Sequence, residues 1–259
     1  MKPLIAAPVV AAVTLAWSNG PAGNATTNFA SECDDPPYAT HDWIADHALA
    51  LLPTEEAAWL QPHRTMYLLG TEAPDNDDIP VACGAPNTGY DDRRRGHSVD
   101  WNDDHSEMVE DRAAFRALQE YDKAVDAFAD GEFSAAAFYL GAMAHYIGDV
   151  SQYGHTCRCE DHHSDYENWA KRRTDSFNEG VFESYIQGGN LTRRRPFTAV
   201  RRISRAVSMG QGDLMSAEEM DAHYGNRDQE YLDSVGAALN IGVNELADVL
   251  HRFWLNEVR

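Results

Sequence analysis

Two four-residue spacings carry the strongest chemical signal in this chain. His145-x-x-x-Asp149 and His163-x-x-x-Glu167 each place an imidazole and a carboxylate one helical turn apart on a single face. Such a pair can grip one cation from two sides. His155 lies between the two pairs, so the pattern brings three histidines and two carboxylates within residues 145–167. Imidazole and carboxylate together suit zinc, above all where a coordination position stays open for chemistry. His145 and Asp149 also interrupt an apolar stretch, where polar side chains are costly unless something satisfies them.

The elements that must position these residues read as helices. Residues 133–151 form the most apolar of them, with Ala135, Phe138, Tyr139, Ala142, Met143 and Ile147 at helical spacing, so this helix should be central and buried. Thr40 can cap a helix from His41 carrying Trp43, Ile44, His47, Ala48 and Leu51, which Pro53 ends. Further helices are expected at about residues 55–69, 106–129, from Ser164, 196–209 and 231–254. Residues 70–104, rich in Gly, Pro, Asp and Asn, read as a long loop, and long loops in compact domains are usually functional. Strand patterns are essentially missing. The expectation is all-α: a single-domain multi-helix bundle with the metal site between helices and a long loop.

The chain has 259 residues and a formal net charge of -21. Lysine occurs only at Lys2, Lys123 and Lys171. Such a surface disfavours duplex nucleic acid as a tightly held partner and fits adaptation to high salt, which screens self-repulsion. Residues 1–16 read as a signal peptide, with Lys2, an apolar run from Leu4 to Leu15, and small Thr14 and Ala16 before a cleavage point. The protein is therefore expected to be secreted, with residues 17–259 as its mature domain. Cys33, Cys83, Cys157 and Cys159 fit two disulfides, with three pairings open, although Cys157 and Cys159 are too close to bridge one another without strain. A metal role for Cys157 or Cys159 is the lesser reading. The arginines Arg193, Arg194, Arg195, Arg201 and Arg202 could meet anionic headgroups, but a solvated face or ion pairing with the acidic surface is the better expectation.

The segment Phe138-Tyr139-Leu140-Gly141 through His145-Tyr146-Ile147-Gly148-Asp149 to His155, with His163-Ser164-Asp165-Tyr166-Glu167-Asn168, resembles the zinc-dependent phospholipase C family. That family is related to the fungal single-strand nucleases, and the second motif is closer to the phospholipase branch. The resemblance implies three zinc ions and nine ligands: Trp17, through its free α-amine and carbonyl, with His41, Glu72, His97, His145, Asp149, His155, His163 and Glu167. One zinc would take Glu72, His97, His145 and Asp149. A second would take His155, His163 and Glu167. A third would take Trp17 and His41, with Asp149 bridging. Asp75 and Asp77 rival Glu72, and His105 rivals His97.

The implied activity is hydrolysis of phospholipids by a metal-activated water, with Glu72 as general base and Asp149 as the other catalytic residue. The implied partners are a phospholipid or other phosphodiester and transient contact with a membrane surface, by a monomer. The alternatives are a single-strand nuclease or 3′-nucleotidase, and a non-catalytic secreted zinc-binding protein. His47, His63, His105, His162, His223 and His251 are expected to pack or to face solvent.

Overall fold

The structure, a computed structural model, describes residues 38–76, 83–86, 96–102, 105–157 and 161–259. Helix α1 spans Thr40–Ala50. The capping residue is Ala39 rather than Thr40. Its N–H donates to the Asp42 carboxylate at 2.9 Å, while the Thr40 hydroxyl pairs with that of Thr174 at 2.9 Å. The helix expected over 55–69 is broken. Pro62 lies in a 3-10 turn, Gln61–His63, which separates α2 (Thr54–Ala57) from α3 (Arg64–Glu72).

The helix expected over 106–129 begins only at Arg112, giving α4 (Arg112–Ala129). The preceding residues pair as a small antiparallel sheet, β1 (Asp100–Trp101) with β2 (Met108–Glu110). The Asn102 side-chain carbonyl accepts from the N–H groups of Ser106 and Glu107 at 2.9 and 3.0 Å, and His105 takes a left-handed φ of 53°. That local turn gives the backbone an alternative to helix.

Helix α5 (Phe133–Asp149) follows, then a 3-10 turn at Tyr153–His155, α6 (His163–Lys171) and α7 (Pro196–Met209). Proline at the start of α7 and left-handed Gly210 after it mark both ends. A short helix not foreseen in the sequence, α8 (Ala217–Ala222), is held by reciprocal bonds between Ser216 and Glu219. Last comes α9 (Gln229–Phe253), capped by Asp228. Among the described residues the fold is all-α apart from the one small sheet, and no helix is long and apolar enough to cross a membrane.

Helix α5 is the axis. From Ala136 to Asp149 every residue except Tyr139 is buried, and α1, α3, α4, α7 and α9 pack around it. The closest approach is to α3. A Cβ on Gly141 would lie 1.9 Å from the Tyr67 carbonyl oxygen, and one on Gly70 would lie 2.0 Å from that of Phe138. The two backbones touch because both positions lack side chains. This contact also sets the site, since Thr71 follows Gly70 and His145 lies one turn beyond Gly141.

Gly141→Ala should therefore be poorly tolerated, because backbone cannot swing away as a side chain can. We expect a loss of at least about 3 kcal/mol and a melting temperature lower by roughly 6–12 °C, read by calorimetry. An unchanged melting temperature would show that α3 and α5 are not in backbone contact.

Candidate metal centre

The last turn of α5 carries His145 and Asp149, both essentially buried. The Nδ1 of His145 lies 2.6 Å from the Thr71 carbonyl oxygen. A carbonyl only accepts, so Nδ1 carries the proton and Nε2 presents its lone pair. That Nε2 is 3.2 Å from Asp149 Oδ2 and 3.0 Å from His97 Nδ1, which is itself 2.8 Å from Asp149 Oδ2. The other carboxylate oxygen, Oδ1, lies 3.1 Å from His41 Nε2 and 3.5 Å from His155 Nε2. Beyond His155, a second cluster forms: its Nε2 is 3.2 Å from His163 Nε2 and 3.3 Å from Glu167 Oε1, and His163 is 2.9 Å from the same oxygen.

Three groups of potential donors result, each with its atoms within 4.8 Å of one another: His97, His145 and Asp149; His155, His163 and Glu167; and His41, Asp75 and His145. Most separations fall near the roughly 3.3 Å edge of a tetrahedron with zinc-like bonds. Paired ring nitrogens at 3.0 and 3.2 Å share too few protons to satisfy them all. Buried His97 Nε2, His155 Nδ1 and Glu72 Oε1 have no hydrogen-bond partner. The donor chemistry fits zinc.

Several features hold these groups in register. Gly148 and Gly154 make room for rings from elsewhere: a Cβ on Gly148 would be 2.7 Å from the His41 ring, and one on Gly154 would be 2.8 Å from that of His163. The loop bearing His97 is pinned where the Val99 N–H donates to the His155 carbonyl at 2.9 Å. Asp221, from α8, accepts from the Tyr153 hydroxyl at 3.3 Å and from the N–H groups of Asp161 and His162 at 3.3 and 3.1 Å. It thus ties the turn that carries His155 to the start of the helix that carries His163. The amide of Gln152 donates to Glu167 Oε1 at 3.0 Å.

Electrostatics follow the geometry. Burial alone would raise the Asp149 carboxyl, but the surrounding His145, His155 and His97 hold it well below the usual carboxylate range. Burial likewise opposes ionisation of Glu167, and bonds from His155 and His163 reverse that. Asp42, buried beside the site, is pushed up to about 7 by burial and the nearby Glu72 charge, although Thr71 and Ala39 donate to it. An open cleft of about 230 Å³ exposes the centre, lined in part by His41, Glu72, Asp75, Gln152, Glu167 and Lys171.

Of the nine expected ligands, seven lie together: His41, His97, His145, Asp149, His155, His163 and Glu167. Trp17 lies outside the described residues, as does the rival Asp77. Glu72 faces the cleft but belongs to none of the three donor groups, whereas Asp75 Oδ1 is 3.8 Å from both His97 Nε2 and His145 Nε2. His105 turns away, with Nε2 3.1 Å from the Ser208 hydroxyl. His47 lies between the Trp43 carbonyl and Glu183, and His251 is 2.6 Å from Glu56. His63 bonds Ser134, His223 bonds the Glu219 carbonyl, and His162 stacks on Tyr224. Neither Cys83 nor Cys157 is a free thiol; Cys33 and Cys159 lie outside the described residues. Sequence reading missed Thr71 and Asp221, which act through backbone groups and leave no motif. The glycines before Asp149 and His155 were a usable signal.

Asp149 touches more donors than any other residue, so Asp149→Asn should lose roughly two zinc equivalents, against about one for Glu167→Gln, by elemental analysis of purified protein. Equal losses would deny Asp149 a shared role. The pH dependence has a definite sign. Burial lowers the imidazolium pKa of His97 and His145, but Asp149 more than reverses this and leaves both raised. For His41, burial and His145 lower it, and Asp149 again prevails. Without metal, these groups stabilise the fold below about pH 6.5 and lose that contribution as pH rises through their folded values. The lowered pKa of Asp149 adds stability above about pH 4 that is lost as pH falls further. Zinc needs the same nitrogens unprotonated. The gap in melting temperature between zinc-loaded and metal-free protein should therefore widen from about pH 5.5 to about pH 8; a constant gap would disprove the linkage.

Comparison with known proteins adds to this geometry. The family described as zinc dependent phospholipase C matches residues 40–237, well over half of the chain. Among solved structures, the alpha toxin from Clostridium absonum is similar, with a TM-score of 0.56 and 17% identity over 84% of this chain and 63% of that one. The Clostridium perfringens alpha-toxin from avian strain SWCP is similar too, with a TM-score of 0.56 and 20% identity over 83% of this chain and 62% of that one. The chain thus spans less than two thirds of the length of either toxin, and at these identities the likeness is one of fold. No curated protein matches significantly. With its donor groups and the extent of the family match, the chain belongs to the zinc dependent phospholipase C family.

Proposed function

We propose that this protein is a zinc metallohydrolase that cleaves phospholipids in the manner of a phospholipase C, releasing a diradylglycerol and a phosphorylated headgroup. The observation that carries this reading is the Asp149 carboxylate, whose two oxygens face four histidines at 2.8–3.5 Å beside an open cleft. The family match favours lipid over single-stranded nucleic acid as the substrate.

Three zinc ions are proposed. His97, His145 and Asp149 would hold one, with Asp75 or Glu72 beside them. His155, His163 and Glu167 would hold a second. The α-amine and carbonyl of Trp17 and His41 would hold the third, with Asp149 shared. When bound, zinc supplies Lewis acidity to phosphate oxygens and lowers the pKa of water towards 7.

The chain's own residues do the remainder. The Thr71 carbonyl keeps the His145 proton on Nδ1 and so keeps Nε2 available. Asp149 stays ionised and balances cationic charge. Glu72 would orient the attacking water and take its proton; its place on the cleft and an Oε1 free of hydrogen bonds support that role. Asp75, more exposed on the same cleft, is the better donor to metal. The same proposal includes a secreted monomer cut before Trp17, two disulfides involving Cys33, Cys83, Cys157 and Cys159, transient membrane contact, and a surface suited to high salt.

Incubating the zinc-loaded protein with phosphatidylcholine, or with single-stranded DNA, separates the readings. Diacylglycerol should appear, chelation should abolish its release, and Asp149→Asn should lower the rate at least about 1,000-fold. Release of nucleotides without diacylglycerol would move the assignment to the nucleases. Bound zinc with neither product would make this a non-catalytic zinc protein.

A further inference from the structure

Only some cations of this acidic chain are neutralised by carboxylates. Arg64, Arg112, Arg116, Arg194 and Arg202 each pair with a carboxylate. Arg194 and Arg202 share Glu245 and tie the arginine-rich stretch to α9, whereas among the described residues no ion pair engages Arg193, Arg195, Arg201 or Arg205. One group of unpaired cations begins at the metal cleft, which Lys171 lines. Among the described residues, no ion pair engages Lys171, Arg172, Arg173 or Arg227.

These four come together from two segments, the end of α6 and the turn before α9. The guanidinium of Arg173 sits 4.3 Å from the Trp169 ring centre and donates to the Trp169 carbonyl at 2.9 Å. Arg227 lies 5.9 Å from the same ring and 4.5 Å from that of Tyr224, which stacks on His162. The aromatic rings thus hold two guanidiniums side by side. Burial and the charges of Arg172 and Arg227 lower the Arg173 pKa, which is the mark of crowded like charges. Basic residues at a helix C-terminus are favoured by the helix dipole, and that accounts for Lys171 and Arg172. It does not account for Arg227, which belongs to another segment.

Position gives the cluster meaning. Lys171 lines the metal cleft together with Glu167 and Asn168, so the group extends outward from the cleft's edge along the end of α6. Lys171, Arg172 and Arg227 are exposed, forming an open face rather than a closed pocket. On a chain of formal charge -21 the overall field repels an anionic surface, so a local group of unpaired cations beside the cleft decides how such a surface could approach it.

We propose that Lys171, Arg172, Arg173 and Arg227, braced by Trp169 and Tyr224, form a docking face for an anionic phospholipid surface and turn the metal cleft towards it. This rests on the phospholipid reading above. Several charges spread over an exposed rim suit a surface of repeated phosphates better than one free anion. Attraction of this kind is worth about five-fold in binding per charge and weakens as salt shortens the Debye length.

The test is sedimentation of the full-length, zinc-loaded protein with phosphatidylcholine vesicles, with and without phosphatidylglycerol. Wild type is compared with Arg172→Gln/Arg227→Gln, two exposed positions whose loss spares the Arg173–Trp169 contact. Metal content and melting temperature check that the variant is folded. Wild type should prefer the anionic vesicles, the variant should bind them roughly 20-fold less well, and the preference should fade between about 0.1 and 1 M salt. Equal binding by the two proteins would overturn the proposal, as would equal loss of binding to neutral vesicles. Comparable binding of single-stranded DNA with the same arginine dependence would overturn the lipid assignment. Hydrolysis of a soluble phosphodiester is measured alongside. If it is absent while the arginine dependence persists, the enzymatic reading fails and the docking face stands.

Discussion

A single buried carboxylate governs this molecule. Asp149 is 1% exposed, yet both of its oxygens meet imidazole nitrogens from four segments of chain. An ionised carboxylate cannot be left bare in such a place, because its desolvation would be several kcal/mol. The histidines must therefore arrive, and they must arrive with lone pairs or protons arranged to suit it. Helix α1, the loop at His97, helix α5 and the turn at His155 are all fixed relative to one another by this requirement.

The surrounding packing is organised to let them arrive. Absent side chains matter as much as present ones here. Gly70 and Gly141 bring α3 against α5, which puts the Thr71 carbonyl within reach of His145. Gly148 and Gly154 leave space for the rings of His41 and His163. Asp221, far away in sequence, joins the two segments that hold His155 and His163. Each device fixes the orientation of a donor rather than supplying one, which is how outer partners tune a metal centre.

Charge is partitioned with the same economy. Among the described residues five arginines lie against carboxylates, and the buried Glu245 on α9 holds two of them, Arg194 and Arg202. The acidic excess is spread over the remaining surface. At the cleft, five imidazoles and several carboxylates gather within one small volume, and Lys171 stands at its edge.

How much of this was legible beforehand depends on range. The helix-spaced pairs His145/Asp149 and His163/Glu167, the central apolar helix and the all-α class follow from local periodicity, because a side chain four residues on returns to the same face. Breaks in the expected helices were missed where short-range chemistry competed, at Pro62 and at the Asn102 turn. Which carboxylate after α3 approaches the histidines, Glu72 or Asp75, could not be read from spacing, since it depends on where that helix ends and which way the chain then turns. The proton on His145 Nδ1, the bracing by Asp221 and the pairing of Arg173 with Arg227 over Trp169 likewise arise only when distant segments meet. Sequence alone determined which residues could bind metal; tertiary structure decided how they are aimed, because aim is set by contacts between residues tens of positions apart.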